Sequence, residues 1–99
     1  ADVVATQIPV AAGSVAAGRS LAELQLDIEP GFHVLAIRRD NRYLYRPRGS
    51  ALLHPGDSLI ASGPQEGRVR LAELCGWNVI EDEDDPSGEF ELVPLAASR

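Results

Sequence analysis

The chain has 99 residues, 44% of them apolar, and a formal net charge of −6. That length suits one domain with one modest core, and the composition is too apolar for a disordered segment. No apolar run approaches the roughly 18–20 residues that cross a bilayer, and the single cysteine, Cys75, can neither close an internal disulfide nor build a thiolate metal cluster.

The charge is unevenly placed. Residues 81–91, EDEDDPSGEFE, hold seven of the fifteen acids, so the rest of the chain is close to neutral. All nine basic residues are arginine, and Arg38, Arg39, Arg42, Arg46 and Arg48 fall within eleven positions. Such a cluster either meets an anion or forms an exposed hairpin of solvated charge, and composition does not separate the two. The opening stretch, Ala1 to Val10, has no basic region and does not read as a signal peptide.

In chain order, Val3–Val10 is β-branched and reads as a strand, and Ala11–Gly18 as a small-residue loop. Ser20-Leu21-Ala22-Glu23 is a capping-box pattern opening a short helix, with Leu21 and Leu24 on one face. Pro30-Gly31 breaks the chain. Phe32–Arg38 is a nearly continuous apolar run, as expected of a central strand buried on both faces, with Val34 and Ala36 on one side and Leu35 and Ile37 on the other. Asp40-Asn41 signals a turn into a strand at Tyr43–Arg46. Pro55-Gly56-Asp57 turns into another at Ser58–Ser62, the Asp57 side chain serving local amides. Val69, Leu71, Ala72, Leu74 and Cys75 have helical spacing, closed by Gly76. Trp77–Ile80 adds a short strand, and Glu89–Val93 either pairs as an edge strand or stays loose.

The order β-α-β-β-β-α describes an α+β fold, a small and mostly antiparallel sheet packed with two short helices. Residues 1–80 are expected to form the domain and 81–99 an acidic C-terminal tail.

Patterns that suggest catalysis do not hold together. Gly13–Ser20, GSVAAGRS, nearly fits a phosphate-binding loop, but Arg19 stands where lysine belongs and no acidic metal-binding strand follows. Ser14, His33 and Asp57 lack a nucleophile elbow. His33, His54 and Cys75 have no recognisable metal spacing, and the acidic run lacks the spaced ligands and turn glycine of a calcium loop. Neither catalytic residue, metal nor cofactor is expected. Tyr43 and Tyr45 among the arginines superficially suit single-stranded nucleic acid, but the net negative charge opposes it.

Three motifs in order resemble the TrkA-C (RCK C-terminal) domain family: GRSLAELQL at Gly18–Leu26, FHVLAIRR at Phe32–Arg39, and LLHPGDSLIASG at Leu52–Gly63. The resemblance runs from about Val3 to Gly76. It implies a cytoplasmic regulatory domain of a potassium channel or transporter, without membrane insertion of its own, that pairs as a homodimer. Such a domain follows an RCK-N, PhoU-like or membrane transport domain. In some members the dimer cleft binds a small anionic regulator, notably cyclic di-AMP. By resemblance, the residues that would line such a cleft are His33, Ile37, Arg38, Arg39, Asn41 and Pro55. The other functional reading is a purely structural dimerisation module without a ligand.

Overall fold

The computed structural model describes residues 2–81 and 90–95. Its elements are β1 (Val3–Pro9), α1 (Leu21–Leu24), β2 (His33–Arg39), β3 (Arg42–Tyr45), β4 (Ser58–Pro64), a 3₁₀ turn (Gln65–Gly67), α2 (Arg68–Leu74), β5 (Trp77–Glu81) and β6 (Phe90–Pro94). β1, β4, β2 and β3 lie side by side in that order as one antiparallel sheet, and β5 and β6 form a second, two-stranded one. The α+β class and the expected element order through α2 are those of the structure.

One face of the larger sheet carries the core. β4 shows the alternation of a half-buried strand, with Leu59, Ala61 and Gly63 buried and the residues between them only partly covered. Ile8 from β1, Phe32 and Ile37 around β2, Leu53, and Leu71 and Cys75 at α2 complete the cluster. Leu21 and Leu24 pack against it from α1, which has no fully buried residue of its own. Val69, included in the helical apolar stripe, lies at its margin and is 42% exposed.

Helix α1 spans four residues, too short to persist without help. The capping box supplies it. The Glu23 amide donates to Ser20 Oγ at 3.2 Å, and the Ser20 amide donates to Glu23 Oε1 at 3.0 Å. The Ser20 amide, with its hydroxyl adding to the effect, holds the Glu23 carboxyl below its ordinary pKa. Ser20→Ala is expected to lower stability by about 1 kcal/mol, measured by urea unfolding. An unchanged midpoint would mean that packing alone holds the helix.

Helix α2 ends where expected: Gly76 has φ +100°, a left-handed conformation that terminates a helix at little cost only in glycine. The chain then enters β5. Trp77 Nε1 donates to the Pro9 carbonyl at 2.7 Å, and Trp77, Val79 and Leu92 pack on the core. Residues 90–94, in the stretch read as a tail, thus pair with β5. Residues 82–89, within the expected acidic C-terminal tail, lie outside the described residues.

Candidate ligand site on the β2–β3 hairpin

Strand β2 is not buried on both faces, and a bulge sets which residues take each face. His33 and Val34 pair with Ser62 and Ala61 of β4, but the next paired residues are Ala36 with Ile60 and Ile37 with Leu59. Leu35 is the extra residue, and it is 46% exposed. The bulge corrects the expected facing. Val34 and Ile37 stand opposite the core residues Ala61 and Leu59, while His33, Ala36 and Arg38 lie on the other, open face. Positions 33 and 38 would oppose each other in a regular strand, and the bulge brings them to one side. Ala36 is buried even there, between its neighbours Ile60 and Tyr45.

Arg39 falls on the core side and has a specific partner. Its Nε donates to Asp57 Oδ1 at 2.9 Å and its Nη2 to Asp57 Oδ2 at 2.8 Å, a bidentate ion pair. Nη2 also donates to the Leu52 carbonyl at 2.9 Å, and the His54 amide donates to Asp57 Oδ2 at 2.8 Å. Asp57 is 1% exposed, whereas the Arg39 side chain remains 42% exposed. Burial alone would raise the Asp57 pKa, but the Arg39 hydrogen bonds, the His54 amide and the nearby positive charges together hold it below the ordinary value. The same pairing raises Arg39. This arrangement ties the 52–57 loop to β2, and it explains why a GD turn is needed here: the aspartate anchors the loop from inside.

The residues expected to line a ligand cleft therefore do not form one cluster. Ile37 is in the core, and Arg39 is occupied by Asp57. Pro55 is exposed in the turn beside His54, and Asn41 is exposed at the tip between β2 and β3. His33 and Arg38 share the open face. In the hairpin, Arg38 pairs across to Tyr43 and Ala36 to Tyr45, so both tyrosines join that face. Their rings stack on each other, with centroids 5.7 Å apart and planes at 30°. Neither ring was singled out by the family motifs; the alternate spacing of residues 43 and 45 was the only signal that they share a face.

Four guanidinium groups of this region, those of Arg38, Arg42, Arg46 and Arg48, are exposed and have no ion-pair partner among the described residues. On the side away from the open face, Ile37, Arg39, Asp40, Arg42, Tyr43 and Leu44 line a groove of about 530 Å³. A smaller one, about 340 Å³, lies between α1 and the start of β2, with Phe32 and His33 in its wall. Among the described residues no group of His, Cys, Asp and Glu is placed to hold a metal. Burial pushes the Cys75 thiol up to about 12, which leaves it protonated and unreactive at neutral pH. No helix among the described residues is long and apolar enough to cross a membrane.

This architecture is that of RCK C-terminal domains. The chain matches the TrkA-C domain over residues 5–76 and belongs to that family, a regulatory family of potassium transport systems. The RCK C-domain dimer of S. agalactiae BusR, solved in complex with c-di-AMP, superposes with a TM-score of 0.66 at 21% identity, over 72% of this chain and 93% of that one. The RCK C domain of the potassium transport protein KtrA, in complex with cyclic diadenosine monophosphate, gives 0.59 at 25% identity, over 72% of this chain and 79% of that one. The GsuK channel bound to NAD gives 0.61 at 24% identity, over 74% of this chain but 13% of the channel chain. No curated protein sequence matches the chain. The likeness to BusR and GsuK is one of fold.

Proposed function

We propose that this chain is a dimeric, cytoplasmic regulatory domain of a potassium or other cation transport system, responding to a small anionic ligand of the cyclic dinucleotide class. Two copies associate through the open face of the sheet, and the ligand lies between them with Arg38 of each protomer on its phosphates. A two-fold axis gives a symmetric dinucleotide two equivalent arginines. The observation that carries this reading is the Arg38 guanidinium, exposed and without an ion-pair partner among the described residues, on the sheet face away from the core. The complex of the KtrA C domain with the same class of ligand supports it. Regulation follows if the ligand binds one geometry of the dimer better than the other, since only differential affinity shifts such an equilibrium. The domain would act on a membrane transport segment, directly or through an RCK-N or PhoU-like domain.

Calorimetric titration with cyclic di-AMP tests this, with AMP and cyclic di-GMP as controls and the oligomeric state fixed by light scattering. The expected result is selective binding of one ligand per dimer. Arg38→Ala is expected to weaken it by about tenfold or more, the cost of a charge-assisted hydrogen bond. Arg42→Ala changes the groove on the other side of the hairpin and is expected to leave affinity within about threefold, as befits a distant exposed charge. If only Arg42→Ala weakens binding, the ligand sits in the groove and the proposed face is wrong. A stable dimer that gives no heat with any of these ligands favours the second reading, a structural dimerisation module. The exposed Val3 and Tyr45 on the same open face, at 75% and 71%, are what favour that alternative.

A further inference from the structure

We propose that Tyr43 and Tyr45 are a stacking platform that takes the flat face of a purine, while Arg38 takes the anion attached to it. This inference rests on the ligand reading above and goes beyond it, because it assigns the recognition of the base and predicts which base is preferred.

The argument starts from what the two tyrosines do not do. A tyrosine recruited for stability buries its ring and gives its hydroxyl a partner. Here Tyr43 is 44% exposed and Tyr45 71% exposed, and neither hydroxyl makes a hydrogen bond within the described structure. Their contact is with each other, at a centroid separation of 5.7 Å and an angle of 30°. Two rings stacked on each other from adjacent same-face positions of a strand leave their outer faces as a preformed aromatic surface. Little side-chain entropy remains to be lost when a ligand settles on it, because each ring turns about only two torsions and already rests against its neighbour.

Position supplies the rest. β3 is the outermost strand of its sheet, so no further strand walls off the platform. Arg38 is the direct cross-strand neighbour of Tyr43 on the same face. An aromatic surface flanked by a cation that has no ion-pair partner among the described residues matches a ligand with a flat heterocycle and a nearby phosphate. A purine offers a larger face than a pyrimidine. A bare phosphate or a sugar phosphate would use the cation and leave the rings idle.

The test compares wild type with Tyr43→Leu, Tyr45→Leu and Tyr45→Phe. Each is titrated with cyclic di-AMP and with its pyrimidine counterpart, cyclic di-UMP, while the adenine protons are followed by NMR. Leucine keeps an apolar side chain on an exposed strand position, so folding is expected to be retained, and circular dichroism checks it. The expected result is a loss of about tenfold or more in affinity for each leucine variant, affinity within threefold of wild type for Tyr45→Phe, and weaker binding of cyclic di-UMP than of cyclic di-AMP. The adenine protons shift upfield on binding to wild type, and that shift shrinks in the leucine variants. If wild type binds cyclic di-AMP and both leucine variants bind equally well with the same upfield shift, the platform is refuted while the ligand reading stands. If wild type binds no cyclic dinucleotide, both fail.

Discussion

Arg39→Ala is expected to destabilise the domain by about 3 kcal/mol, although its side chain is partly solvated and sits at the surface. The loss is on the other partner. Without the guanidinium, the Asp57 carboxylate stays 1% exposed and keeps only the His54 amide, while the Leu52 carbonyl loses its donor as well. Arg39→Lys recovers only part of the stability, because a single ammonium cannot make the two parallel bonds of 2.9 and 2.8 Å to both carboxylate oxygens. Asp57→Asn keeps the shape and loses the charge, so it falls between them. Urea unfolding at neutral pH measures all three, and a change below about 1 kcal/mol in Arg39→Ala would show that the pair is no more than an ordinary surface ion pair.

The same pair sets an acid limit. Asp57 has a folded pKa below its unfolded value of about 3.8, so its ionised form favours the native state at every pH above that value. The contribution disappears as pH falls through the lower, folded pKa. Wild type and Asp57→Asn are therefore expected to differ most at neutral pH and to converge in acid below 3.8.

Gly63→Ala is the second large effect, expected at about 3 kcal/mol, the upper end for overpacking. A Cβ at this position would lie 2.6 Å from Cγ of Phe32 and 2.8 Å from both Cδ atoms. Phe32 is 1% exposed, and the far edge of its ring lies close to Gly67, where a Cβ would come within 3.1 Å of Cε1. The ring therefore has no room to retreat, and the strand must move instead. The diagnostic experiment is a double-mutant cycle with Phe32→Leu. Leucine shortens the side chain and opens space above residue 63, so the double variant is expected to be more stable than the sum of the two changes predicts, by about 1 kcal/mol. Strict additivity would mean that the alanine is accommodated some other way.

Much of this fold is local enough to be legible in the sequence. The capping box at Ser20 and Glu23, the helix stop at Gly76 and the turn at Gly56-Asp57 each depend on residues within a few positions of one another, and each stands in the structure as the residues imply. The boundaries of β1, β2 and β3 differ from expectation by a residue or so, and β4 runs on to Pro64. What could not be read was set by contacts between distant positions. Arg39 and Arg38 are indistinguishable as neighbours in a sequence; only the pairing with Asp57, 18 positions away, separates anchor from free cation. The bulge was hidden because Val34-Leu35-Ala36-Ile37 is apolar throughout, and an unbroken apolar run carries no alternation from which a change of phase could be seen. The tyrosine pair was visible as spacing, but its exposure depends on which strand ends up at the edge of the sheet.

That bulge makes position 35 a residue that the ladder to β4 steps over. Another apolar or polar residue there would change little beyond an exposed side chain. Removing the residue altogether would leave the charge of the chain unaltered and restore a regular ladder in which Val34 still pairs with Ala61 and Ala36 with Ile60, so every other side chain keeps its face. Arg38 would stay on the open face and Arg39 beside Asp57, whereas the present chain paired straight through Leu35 would exchange the two arginines without either being mutated. Among chains built on this plan, a strand one residue shorter at this point therefore keeps the same functional face, and only comparisons that place the gap at the bulge match the right arginines.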